Sequence, residues 1–156
     1  MGTLETARTM MTRHDLPPGI DALSNRVIGA AIEVHRELGP GLLEKIYEEA
    51  LAYELSLNGI RVERQIDVPV YYKDVQIRGQ RLDLLIDRAI IVEIKAVAMI
   101  QEVHPAQLLS QLRAARLPLG LLLNFHAPIL KQGLKRVINE RIAPPVPLIC
   151  PPSPPS

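Results

Sequence analysis

From Leu82 to Val97 the chain reads LDLLIDRAIIVEIKAV, and its only polar residues are Asp83, Asp87, Arg88, Glu93 and Lys95. Asp87 and Arg88 carry a turn signal. That leaves three ionisable groups inside segments rich in the β-branched and aliphatic residues of strands. A strand turns successive side chains to opposite faces, so Glu93 and Lys95 share one face. If Asp87, Arg88 and Ala89 form a three-residue hairpin loop, residue 83 lies across from residue 93 and the two carboxylates face the same way. A two-residue loop would put residue 83 opposite residue 92 and spoil the arrangement.

Two carboxylates on adjacent strands, with Cβ atoms about 5 Å apart, repel each other unless a cation accompanies them. A hard divalent ion such as Mg²⁺ takes oxygen ligands and retains waters for chemistry. Lys95, one pleat further along, could orient or deprotonate such a water, or stabilise charge growing on a phosphate. Asp83, Glu93 and Lys95 would then have complementary parts in phosphodiester hydrolysis. The alternative is an edge-strand ion pair between Glu93 and Lys95 with Asp83 in solvent. The apolar surroundings favour the first reading, because burying three ionisable groups is costly without pairing or a metal.

These residues need a frame, and hydrophobic periodicity predicts one. Ser24 is a plausible N-cap for a helix over residues 24–38 with Val27, Ala30, Ala31, Val34 and Leu38 on one stripe, stopped by Gly39-Pro40-Gly41. A second helix over residues 42–58 carries Leu43, Ile46, Tyr47, Ala50, Leu51 and Leu55 and closes at Asn58-Gly59. The period then changes to two. Strands are predicted at Ile60 to Asp67, Val68 to Tyr72, Gln76 to Ile86 and Ala89 to Val97, forming an antiparallel meander of three or so strands. His104-Pro105 opens a helix through about Arg116, Pro118 ends it, and residues 119–125, LGLLLNF, read as a buried strand. A last amphipathic helix is predicted over Ile129 to Ile138. The order αα-βββ-α-β-α is that of an α/β sandwich with a mixed sheet.

The chain's 156 residues, 47% of them hydrophobic, suit one soluble domain, expected over residues 20–142. A flexible arm over residues 1–19 would precede it. Residues 143–156, with seven prolines among the last thirteen positions, read as a disordered tail. The net charge of +1 neither signals nor excludes a polyanionic partner. Cys150 is the only cysteine, which rules out an internal disulfide and fits a reducing compartment. No apolar run approaches the roughly 20 residues that span a bilayer. The expected setting is therefore the cytoplasm, with no membrane partner.

The segment GLLEKIY, with Gly41, Glu44 and Tyr47, resembles the signature of bacterial GxxExxY proteins. The likeness continues through IEVHRELGPG, VERQIDVPVYYKD, RLDLLID, IVEIKAV, VHPAQLL and LLLNF, over about residues 22–140. That family looks like a compact branch of the PD-(D/E)xK nuclease superfamily, which implies a restriction-endonuclease-like core and a nuclease that uses Mg²⁺ or Mn²⁺. The resemblance places Asp83 at the metal-binding aspartate, Glu93 and Lys95 at the (D/E)xK pair, and Glu44 at an additional acidic position on the preceding helix. It makes His35 similar to an upstream histidine that some relatives use as a metal ligand. In RecB-like relatives a glutamine and a tyrosine four residues apart follow the lysine on the next helix; Gln107 matches the first, but Gln111 stands at the second. Substrate contacts are thus expected from Gln107, Gln111, Tyr47 and His104. For Tyr47 the bland reading is core packing with a bonded hydroxyl, and for His104 it is helix capping. Gly41 would allow close approach of the helix.

The combined reading is a nucleic-acid phosphodiesterase, with DNA favoured over RNA as substrate. Cutting both strands with one site per chain would call for a homodimer. The rival is a non-catalytic nucleic-acid-binding or assembly module that keeps the fold as a scaffold. A third reading is an enzyme acting on a smaller phosphate compound.

Overall fold

The computed structural model describes residues 16–140. Residues 1–15 of the predicted arm over residues 1–19, the proline-rich tail and Cys150 lie outside the described residues.

Helix α1, Ile20–Leu38, buries Val27, Ala30, Ala31 and Val34 of the predicted stripe, while Leu38 at its end is exposed. It starts before the predicted Ser24 cap. The Pro17-Pro18-Gly19 turn begins it, with the Ile20 amide donating to the Pro17 carbonyl and Gly19 at φ 86°, so that Ser24 falls inside the helix and is buried. Helix α2, Glu44–Leu57, packs against α1 and buries Tyr47, Glu48, Leu51 and Leu55. The linking Gly41 adopts φ 106°, and a Cβ there would meet nothing within 4 Å. Its glycine serves a left-handed backbone, and the expected close approach is not what it provides.

Strands β1 (Val62–Asp67), β4 (Arg81–Ile86), β5 (Ile90–Lys95), β6 (Leu119–Asn124) and β7 (Leu134–Ile138) form one sheet in the order β1-β4-β5-β6-β7. The first three are the predicted antiparallel meander. β6 joins parallel to β5 through the crossover helix α3, Val103–Ala115. The segment predicted as one strand from Gln76 to Ile86 is broken near Gly79. β2 (Val70–Tyr72) and β3 (Val75–Ile77) instead make a separate two-stranded ribbon between β1 and β4.

Residues 129–138 are not the predicted last helix. They form a 3₁₀ turn, Leu130–Gly133, and then β7, which runs antiparallel along β6 from Leu119↔Ile138 to Leu123↔Leu134. A short apolar run is ambiguous between helix and strand by periodicity, and the free edge of a wholly buried β6 has backbone groups that must be paired. β7 supplies that pairing and leaves Lys135 and Arg136 on the sheet's edge strand.

The sheet separates two cores. Leu84, Ile86, Ile90, Val92, Ile94, Leu119, Leu121 and Leu123 pack under α1 and α2. Leu85, Ile91 and Leu122 pack on the other face with Leu108 and Leu112 of α3. A Cβ on Gly120 would stand 2.8 Å from the Leu108 side chain, so the glycine lets α3 lie close on β6. The result is a mixed five-stranded sheet flanked by helices, consistent with a restriction-endonuclease-like core.

Candidate active site

The loop between β4 and β5 sets the register. Asp87 and Arg88 take left-handed φ values of 50° and 51°, and the Ala89 amide donates to the Ile86 carbonyl at 2.9 Å. Ile86 pairs with Ile90, Leu85 with Ile91 and Leu84 with Val92. This is the three-residue loop, and the next position brings residue 83 to residue 93. The regular ladder ends there. The Ile94 amide donates at 2.9 Å to Asp83 Oδ2 instead of to a β4 carbonyl.

Asp83 also sits where the alternation of two strands breaks. Leu84 and Ile86 face α1 and α2, yet Leu82 lies in the α3-side core together with Leu85. β1 changes face at the same level, with Val62 against one core and Ile66 against the other. The β1–β4 ladder passes from Arg64↔Leu84 to Ile66↔Leu82 and skips Gln65, whose φ is 51°. Such an irregularity re-aims a side chain. It leaves Asp83 on a pocket of about 380 Å³ lined by Glu44, Lys45, Glu48, Arg64, Gln65, Asp83 and Ile94.

Glu93 shares the α3 side with Ile91 and reaches Gln111, and Lys95 follows one pleat later. The expected common face for Asp83 and Glu93 is not kept, because the break in β4 turns Asp83 to the α2-side pocket. Lys95 Nζ stands 3.6 Å from Glu93 Oε1, and both side chains are largely buried. Burial first and the Asp83 charge second push the Glu93 carboxyl up to about 7, against the pull of Lys95 and the Gln111 side chain. Asp83 is raised too, first by burial and then by the Glu48 and Glu44 carboxylates, against the stabilising Ile94 amide and Lys95. Glu93 Oε2 is buried and has no hydrogen-bond partner among the described residues.

Helix α2 closes this end of the sheet. Glu44, in its first turn, accepts a 3.2 Å hydrogen bond from the Ala96 amide just past β5. Glu48, one turn on, accepts from Gln65 Nε2 at 2.6 Å and lies 3.6 Å from Arg64 Nη2. Spacing alone did not single out Glu48, although a carboxylate between Tyr47 and Leu51, one turn after Glu44, is a signal that could have. Gln65 gives no such signal, because its left-handed backbone arises only where β1 and β4 change faces. Asn124, beside Lys95 in the β5–β6 pairing, donates to the Val97 carbonyl and accepts from the Val97 and His126 amides, which fixes the chain beyond β5.

The donors suit a hard divalent cation. Both Asp83 and Glu93 offer oxygens, one Glu93 oxygen is buried without a partner among the described residues, and their mutual repulsion is what a cation would relieve. Among the described residues no three His, Cys, Asp or Glu side chains converge as a ready ligand cluster. An ion held by these two carboxylates would keep much of its water, as Mg²⁺ usually does.

Several predicted contacts fall elsewhere. Tyr47 is fully buried, stacks on Phe125 at 4.5 Å between ring centroids, donates its hydroxyl to the Gly39 carbonyl at 2.5 Å and accepts from the Leu42 amide. It is a core residue with its hydroxyl used, and as placed it has no surface for substrate. His35 commits Nε2 to the Ala127 carbonyl at 2.8 Å and lines a different cavity, between α1 and the 3₁₀ turn. That position does not bring it to the carboxylates. His104 Nδ1 accepts from the Gln101 amide at 3.0 Å, a local bond that ties the loop to the first turn of α3. Gln107 is exposed, whereas Gln111 is buried beside Glu93, so the two do not present one common surface.

A model of the PD-(D/E)XK nuclease superfamily matches residues 21–137, from the start of α1 into β7. No curated protein and no solved structure matches the chain. The chain belongs to the PD-(D/E)XK nuclease superfamily.

Proposed function

We propose that the protein is a metal-dependent nuclease that hydrolyses phosphodiester bonds of DNA, and that it represents the GxxExxY branch of its superfamily. The observation that carries this reading is the Asp83–Glu93 pair. The Asp83 and Glu93 carboxylates repel each other near where β4 and β5 part, both raised in pKa, with one Glu93 oxygen buried without a partner among the described residues and the Lys95 ammonium 3.6 Å from the other. Groups so costly to bury persist where a ligand compensates them.

In this reading Asp83 and Glu93 would hold Mg²⁺ or Mn²⁺, and Glu44 would hold water at the outer side of the site. The bound ion would supply charge neutralisation at the phosphate and a more acidic water. Lys95, held against Glu93, would direct its ammonium at the scissile phosphate and stabilise charge that grows there. Gln111 would keep the Glu93 carboxylate in place from α3. The exposed Gln107 and Lys45 are available to the nucleic-acid backbone. We place the protein in the cytoplasm; no helix among the described residues is long and apolar enough to cross a membrane.

The test is cleavage of single- and double-stranded DNA and RNA with Mg²⁺ or Mn²⁺, comparing the natural chain with Glu93→Ala and Lys95→Ala. Cleavage by the natural chain alone supports the mechanism, and equal cleavage by all three sinks it. The lack of a ready three-ligand cluster among the described residues favours a second reading, a non-catalytic nucleic-acid-binding module. That reading predicts binding of nucleic acid without cleavage under any metal.

A further inference from the structure

Beside its buried face, helix α2 carries a second apolar stripe that is largely exposed. Tyr47, Leu51 and Leu55 fill its inner face, yet Leu43, Ile46, Tyr53 and Leu57 are 75%, 43%, 65% and 63% exposed. With half-buried Ala50 they stand at alternating intervals of three and four residues from the N-cap to the last turn. Those intervals form a line along a helix, and they are the spacing by which one helix packs into another. Leu38 and Leu42, 39% and 36% exposed, extend the patch at one end. Scattered surface leucines need no explanation, but a continuous patch of this kind does.

The stripe is self-complementary. Laid antiparallel on a copy of itself, Leu43 meets Leu57, Ile46 meets Tyr53, and the small Ala50 meets Ala50 at the centre, as a two-fold interface requires. The patch offers on the order of 600 Å² per chain, so two copies would bury roughly the 1,200 Å² at which specific interfaces begin. The charge of the helix argues against nucleic acid as occupant. Its charged residues are Glu44, Glu48, Glu49, Glu54 and a single lysine, Lys45, which would repel phosphates. Glu49 lies beside the centre of the stripe, and Lys45, one turn earlier on the same side, offsets it.

We propose that α2 is the interface of a homodimer, formed by antiparallel packing of its outer stripe against the same stripe of a second copy. The inner face of the helix carries Glu44 and Glu48, so pairing would join two carboxylate sites through one helix pair. The interface does not depend on whether either site is active.

Light scattering on the full chain is expected to give twice the 17.3 kDa of one copy. Tyr53→Lys combined with Leu57→Lys should halve that mass and leave the circular dichroism and thermal melt intact, while Tyr72→Lys on the β2–β3 ribbon should leave the mass unchanged. In a Cys150→Ser background, Ala50→Cys should cross-link to itself under mild oxidation. Leu43→Cys should cross-link when mixed with Leu57→Cys and not alone. A single-copy mass at every concentration overturns the proposal. So does a dimer that survives the double substitution, or one that dissociates only when the ribbon is changed. If the double variant unfolds, the Ala50→Cys result decides.

Discussion

Two clusters of buried polar groups, one around Tyr47 of α2 and one around Glu93 of β5, differ in one respect. Around Tyr47 everything is matched: the hydroxyl donates to Gly39 and accepts from Leu42, and His35 nearby serves the Ala127 carbonyl. Around Glu93 matching is incomplete: Oε2 of Glu93 and Oε1 of Gln111 are buried with no partner among the described residues, and the carboxyls of Glu93 and Asp83 are pushed up. Satisfied polar groups hold a core together, whereas unsatisfied ones cost free energy that a ligand can recover. The comparison fits a stabilising role for the first cluster and, under the proposed function, ligand binding at the second.

The sharpest break between them is activity. Lys95→Ala should lower cleavage about a thousandfold, equivalent to about 4 kcal/mol of transition-state stabilisation, with the melting temperature little changed. A loss under tenfold would remove Lys95 from the chemistry.

Next is the pH dependence of stability in metal-free protein. Glu93 is pushed up to about 7 in the folded chain from an ordinary value near 4.5, so the folded state holds the extra proton between those values. Stability should fall as pH climbs from about 4.5 through 7, by roughly 3 kcal/mol for this group. Asp83, also raised, acts in the same direction. Urea unfolding at pH 5 and pH 8 would show the drop, and Glu93→Gln should flatten it and be the more stable chain at pH 8. An equal drop in Glu93→Gln would assign the effect elsewhere.

Metal should reverse part of that loss. At pH 8, Mn²⁺ at a hundredfold excess over its dissociation constant would stabilise the natural chain by about 2.7 kcal/mol. Asp83→Asn and Glu93→Gln should lose this gain, and His35→Gln should keep it. Retention of the gain in either carboxylate variant would move the metal site.

The smallest effect belongs to the satisfied cluster. Tyr47→Phe leaves the Gly39 carbonyl and the Leu42 amide without the hydroxyl and should cost about 2 kcal/mol in denaturant melts. Cleavage per folded molecule should stay the same. A kinetic defect at full folding would return Tyr47 to the substrate.

How much of this was legible in the sequence follows from the range of each interaction. The meander, α1, α2, α3 and the buried β6 were readable because their apolar periods are local. Asp83, Glu93 and Lys95 were readable because charge inside apolar strands is conspicuous, and the loop condition on Asp87 to Ala89 is the register observed. The stretch after Ile129 was misread as a helix because ten residues of mixed pattern fit either period, and the open edge of β6 made it a strand. Glu48 and Gln65 escaped notice because their partners lie 17 residues apart in the chain.

The sequence by itself determined which side chains could do chemistry and which elements carry them, since composition and period act over a few residues. Only the tertiary structure decided that β1 and β4 change faces together at Gln65 and Asp83. It alone determined that Tyr47 and His35 find partners while Glu93 Oε2 finds none among the described residues. Whether a buried polar group is satisfied depends on chain segments brought from far away in sequence, and no local pattern encodes that.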